Sequence, residues 1–128
     1  MGTRADYYVG RGPKAEYLGS TAWDGYPEGI PDEIKTASGE SQFKHAVDAF
    51  LKTRKDATFP KDGWPWPWDD SKTTDYAYAF ENGKVLISQF GKWNDKKNIS
   101  FPNMKTRKKV TLGPRSGIMV FRTGPKSS

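Results

Sequence analysis

The groups able to do chemistry in this 128-residue chain are 15 carboxylates and a single histidine; cysteine is absent. Without a thiolate there is no sulfur ligand for a metal, no cysteine nucleophile and no disulfide. His45 falls about 200° around a helical wheel from Phe43, on the polar side of the helix described below. One imidazole with no second histidine does not make a zinc or iron site. Asp69, Asp70 and Asp75 lie close together in sequence, and Asp24 and Glu28 flank a turn. Such acids could hold Mg²⁺ or act as an acid/base pair, although in loops they usually serve as turn and cap residues. There is no G-x-S-x-G and no Walker motif, and "VGRGPKAEYLG" has Gly10 and Gly12 but neither the third glycine nor the following helix of a dinucleotide site. No metal or cofactor is expected. A small enzyme using loop carboxylates is the alternative to a non-enzymatic protein.

Binding chemistry is better represented. "DGWPWPWDD" (62–70) holds three of the five tryptophans, alternating with prolines and bracketed by Asp62, Asp69 and Asp70. The prolines fix an extended geometry that loses little entropy on docking. Trp64, Trp66 and Trp68 are therefore either a strap laid over the chain's own core or, with Trp93, a surface for a protein partner, where tryptophan is a favoured anchor. Energetics favours the strap, because three exposed rings in a row would leave an unusually large apolar patch. The flanking acids argue against base stacking, since they repel phosphate. A nucleic-acid site is better sought in the last 28 residues. Lys105, Arg107, Lys108, Lys109, Arg115, Arg122 and Lys126 face no acid there, whereas the first hundred residues carry 14 basic and 15 acidic side chains. The whole of the +6 net charge thus belongs to the C-terminal stretch, which would attract nucleic acid or an acidic surface.

The elements that position these residues follow from periodicity. "ESQFKHAVDAFLKTRK" (40–55) places Phe43, Ala46, Val47, Phe50 and Leu51 on one stripe of a helix, with Lys44, Asp48 and Lys52 on the opposite face. "IPDEIKTA" (30–37) suits a short helix with Pro31 in its first turn. "ADYYVG" (5–10) and "AEYLGSTAW" (15–23) read as strands, and "WDGYPEG" (23–29) as a sharp break. "TDYAYAFENGKVLISQF" (74–90) is a hairpin about Asn82-Gly83. Its two-residue turn pairs Glu81 with Lys84, Phe80 with Val85 and Tyr78 with Ile87. Tyr76, Tyr78, Phe80, Val85 and Ile87 then face the core, and Ala77, Ala79, Leu86, Ser88 and Phe90 the other way. Residues 91–108 read as a long loop anchored by Trp93, Ile99 and Phe101; 108–122 read as a final hairpin and 123–128 as a tail.

The expected fold is α+β: an antiparallel sheet of four to six strands with the helix of about 40–55 packed on one face, in a single domain over 1–122. No apolar run has membrane-spanning length and no signal-peptide core opens the chain, so a soluble intracellular protein is expected.

"GTRA", "AWDGYPEG", "WPWPWDDSKTTDYAYAFENGKV" and "RKKVTLGPRSGIMV" together resemble a group of small proteins of tailed bacteriophages and prophages, over most of the chain. The resemblance transfers no catalytic or binding residue. It implies a phage accessory protein working in the host bacterial cytoplasm. Small phage accessory proteins often bind and block host machinery, CRISPR and other defence systems included. The leading expectation is thus an inhibitor of a host protein or nucleoprotein complex. Nucleic-acid binding through Lys105, Arg107, Lys108, Lys109 and Arg115 is the second.

Overall fold

The computed structural model describes residues 2–105. The expected final hairpin, the tail, and Arg107, Lys108, Lys109 and Arg115 lie outside the described residues. Strands β1 (Ala5–Val9), β2 (Glu16–Thr21), β3 (Ala57–Thr58), β4 (Tyr76–Glu81), β5 (Lys84–Gln89) and β6 (Lys92–Trp93) form one sheet in the order β3-β2-β1-β4-β5-β6. Helices α1 (Asp32–Lys35) and α2 (Glu40–Lys52) lie on one face. The fold is α+β, as expected. The sheet, however, is mixed: β1 pairs antiparallel with β2 and parallel with β4. Turn chemistry announces only hairpin neighbours. The β1–β4 pairing joins residues about seventy positions apart (Ala5 with Tyr76) and leaves no local mark in the sequence.

The β4–β5 hairpin has the expected register, Glu81 opposite Lys84, Phe80 opposite Val85 and Tyr78 opposite Ile87. Asn82 and Gly83 both have positive φ, as a type I′ turn needs. The register of the first strand pair shifts between Tyr7, opposite Gly19, and Tyr8, opposite Tyr17, leaving Leu18 as the extra residue on β2. Gly19 has a φ of 136°, and a Cβ there would lie 2.6 Å from Leu51 Cδ1 and 2.7 Å from the Thr58 carbonyl oxygen. Only glycine lets α2 and β3 approach β2 so closely.

Two cores result, one on each face. Beneath the helices, Tyr7, Tyr78, Phe80, Ile30, Ile34, Phe43, Val47 and Leu51 are buried together. Phe43, Val47 and Leu51 form the i, i+4 ridge that meets the sheet, while Ala46 and Phe50 of the expected stripe are only partly buried. α2 stops at Lys52 rather than 55. Thr53 Oγ1 bonds back to the Phe50 carbonyl (2.7 Å), and Arg54 turns away to grip Asp56 through Nε (2.8 Å) and Nη2 (3.0 Å).

On the opposite face, Ala77 and Ala79 are fully buried beside Tyr8, Leu86, Trp93 and Phe101. The small alanines make room for the bulky rings of the 93–101 segment, which is fastened at its start by Arg11. That guanidinium bonds Glu81 Oε1 (2.9 Å) and both Asp95 oxygens (3.0 and 2.9 Å) and lies 4.9 Å from the Trp93 ring centre.

Leu51→Ala should cost about 2–5 kcal/mol of unfolding free energy. Phe50→Ala should cost clearly less, and exposed His45→Ala less than about 0.5 kcal/mol. Denaturant melts of the three variants check the ordering, which is wrong if Phe50→Ala is the most damaging.

Candidate functional site

The tryptophan segment is a strap over the sheet face opposite the helices. Pro65 and Pro67 are exposed, and Trp64, Trp66 and Trp68 alternate with them, each half-buried. Every indole N–H has an acceptor: Trp64 bonds the Trp68 carbonyl (2.6 Å), Trp66 bonds Asp6 Oδ1 (2.7 Å), and Trp68 bonds Thr74 Oγ1 (2.9 Å). The flanking acids supply none of these. Asp62 accepts from the Phe59 N–H (3.1 Å) and Asp70 from the Lys72 N–H (2.9 Å), so both act in turns. Trp64 packs edge-on against Tyr17 (5.6 Å), Trp66 stacks on Trp68 (5.6 Å), and the Arg4 guanidinium lies 5.7 and 5.2 Å from that pair's ring centres.

Asp6 is the fixed point under the strap. It is fully buried on β1, and besides Trp66 it accepts from Ser20 Oγ on β2 (2.5 Å) and Ser71 Oγ (2.6 Å). With Asp6 ionised, each serine gives it its one proton, and Tyr17 O–H then donates to Ser20 (2.6 Å) and Tyr8 O–H to Ser71 (2.5 Å). Two Tyr–Ser chains thus converge on one carboxylate. Burial pushes the Asp6 carboxyl above its ordinary value, and the bonds from Ser20, Ser71 and Trp66 only partly restore it. The phenols of Tyr8 and Tyr17 are likewise raised, chiefly by burial and then by the charge of Asp6. Sequence reading did not single out Asp6. Its signal was one acid inside an otherwise apolar strand, "ADYYV".

The other candidate residues do not converge. Trp93 is only 4% exposed, stacked on Phe101 (5.1 Å), with its N–H on the Ile99 carbonyl (3.0 Å). Its ring packs in the second core, so the structure places it apart from Trp64, Trp66 and Trp68 of the strap. Lys105 is exposed. Asp75 Oδ2 accepts from the Arg4 N–H (2.9 Å), and His45 stands exposed on α2. Among the described residues no group of three or more His, Asp or Glu is placed to hold a metal ion, and no helix is long and apolar enough to cross a membrane.

The exposed aromatic surface lies at the sheet end where Thr21, Ala5, Tyr76 and Gln89 stand side by side. Trp23 (54% exposed) and Tyr26 (38%) follow β2, and Phe90 (56%) follows β5. The two strands are three spacings apart, roughly 14 Å. The loop bearing Trp23 and Tyr26 is held from every side. Asp56 Oδ2 accepts from the N–H groups of Ala22 (3.0 Å) and Trp23 (2.7 Å), and Arg54 Nη2 bonds the Trp23 carbonyl (3.2 Å). Gly25 N–H bonds the Thr3 carbonyl (2.8 Å), Tyr78 O–H the Gly25 carbonyl (2.5 Å), and Lys35 Nζ the Pro27 carbonyl (2.6 Å). A Cβ on Gly25 would lie 2.7 Å from that of Ala5, so glycine is required there. Burial works against the Asp56 carboxylate, but the Arg54 bonds and the Trp23 N–H outweigh it and hold its pKa low. Asp24, at a φ of 57°, accepts from Tyr26 O–H (3.2 Å), and its negative charge, with that of Glu28, raises the Tyr26 phenol. Sequence reading treated "WDGYPEG" only as a break. Two large rings placed inside a turn were the clue it passed over.

No protein-family model, curated protein or solved structure matches the chain.

Because the folded Asp6 carboxyl holds its proton more tightly than the unfolded one, its contribution is fully present below the unfolded pKa and fades as pH rises through the folded value. The melting temperature of the wild type relative to Asp6→Asn should therefore fall as pH is raised from about 3.5 towards 7. A difference that stays flat with pH would show that Asp6 titrates alike in both states.

Proposed function

We propose that this chain is a non-catalytic phage accessory protein that binds a host protein or nucleoprotein complex in the bacterial cytoplasm and inhibits it, with a defence system as the target. The observation that carries the reading is that Trp23, Tyr26 and Phe90, the large exposed aromatics among the described residues, lie at one end of the sheet. Aromatic side chains dominate the energetics of protein interfaces. A loop already fixed in place also loses little entropy when a partner docks. The phage origin rests on the sequence resemblance. The binding surface of this proposal is the sheet end rather than the strap, whose indoles are committed to internal acceptors.

A second reading is favoured by charge: Lys105, Arg107, Lys108, Lys109 and Arg115 stand in a stretch without acids. Under it, affinity for DNA or RNA falls steeply with salt, and neutralising these five residues flattens the slope.

Capture from host lysate separates the two. Under the first reading the immobilised full chain retains the same host proteins after nuclease treatment. Trp23→Ser and Phe90→Asn lose them while melting within a few degrees of the wild type. Asparagine is chosen at position 90 because Phe90 has a φ of 49°, which asparagine tolerates. Capture that disappears with nuclease supports the second reading, and capture indifferent to both substitutions removes the first.

A further inference from the structure

The Trp23–Glu28 loop differs in charge from the chain around it. Between residues 23 and 35 the sequence carries Asp24, Glu28, Asp32 and Glu33 against Lys35 alone, in a protein whose net charge is +6. The two nearby cations are already engaged. Lys35 Nζ lies 3.4 Å from Asp32 and bonds the Pro27 carbonyl. Arg54 makes its short contacts to Asp56, and its approach to Asp24 is a looser 3.7 Å. The carboxylate of Asp24 is about half exposed, and Glu28 is exposed. The loop therefore offers two open aromatic rings with a carboxylate on either side of Tyr26, Asp24 held only by the long contacts to Tyr26 O–H (3.2 Å) and Arg54 (3.7 Å), and Glu28 exposed, on a backbone tied down by its own hydrogen bonds.

That combination suits one kind of group. A guanidinium can lie flat on an aromatic face while its N–H groups reach a carboxylate beside the ring. An ammonium ion gains less, because it cannot stack and carries a tighter hydration shell. We infer that this loop is the docking site for an arginine-rich segment of the partner protein, with Trp23 and Tyr26 as stacking faces and Asp24 and Glu28 as the paired charges. The inference rests on the reading of the sheet end as a protein-binding surface, and names the chemistry of what binds there.

The test titrates octa-arginine into the full-length protein at about 0.15 M salt, where long-range charge attraction is screened. Calorimetry and amide and indole NMR shifts report binding. The expected result is a shift of the Trp23 indole N–H and the Gly25 and Gly29 amides, with octa-lysine binding more weakly. Asp24→Asn combined with Glu28→Gln should weaken octa-arginine about tenfold, and Tyr26→Ser should do so while leaving the melting temperature in place. Asparagine preserves the positive φ at position 24. The inference is overturned if the double variant binds as well as the wild type, if the shifts fall elsewhere, or if octa-glutamate binds better. It is also overturned if the protein alone self-associates and the double variant abolishes this, since the occupant is then the basic residues of a second copy. Failure of octa-arginine alongside lysate capture that still depends on Trp23 would remove the arginine chemistry and leave the surface standing. Binding of the peptide without any Trp23-dependent capture would do the reverse.

Discussion

One buried carboxylate organises the face of the sheet away from the helices. Asp6 collects hydrogen bonds from Ser20 on β2 and, from a loop about fifty residues further along the chain, from Trp66 of the strap and Ser71 of the turn that follows it. Taking a charge out of water is expensive unless its lone pairs are filled, and here three donors fill them. An apolar residue of similar size could pack in the same space. It would leave the Trp66 N–H and two buried serines without an acceptor, and nothing would then fix where along the sheet the strap comes to rest. The interaction thus secures position more than it adds stability, a role buried polar groups are well suited to.

The same division of labour runs across the molecule. Shape and area are supplied by the two apolar layers, the helix ridge of Phe43, Val47 and Leu51 on one side and Trp93 with Phe101 on the other. Registration comes from a few charged clamps: Asp6 for the strap, Arg11 for the segment after β5, and Arg54 with Asp56 for the loop after β2. Each clamp joins parts of the chain that a flexible connection would otherwise let drift. The last one bears on the proposed binding surface, because it fixes the backbone of Trp23 while its ring remains in solvent.

What could be read from the sequence was what short-range rules encode. The Asn82-Gly83 turn set the register of β4 against β5, and the spacing of Phe43, Val47 and Leu51 set the buried side of α2. The preference of the tryptophans for packing followed from the cost of exposing them. Long-range pairings were not legible. The parallel contact of β1 with β4 and the two-residue strand β3 depend on where distant segments meet. The acceptors for the strap were not legible either: they come from Asp6, Thr74 and the Trp68 carbonyl rather than from the flanking acids. The exposed rings were missed because exposure is a property of the folded sheet end, where Trp23 and Phe90 follow strands that only the fold brings into line.

The central place of β1 also has a consequence in time. The first strand synthesised ends up between β2 and β4, and its parallel partner begins only at Tyr76. During translation β1 can pair with β2 at once, but one of its edges stays open until most of the described chain has been made. The strap that covers Asp6 also arrives late, from residues 64–68. Completion of the sheet is thereby postponed until β4 has been made, since the contacts that complete it join segments far apart in the chain and close slowly. A nascent chain stalled before β4 would present an unpaired strand edge, a template for pairing with another chain.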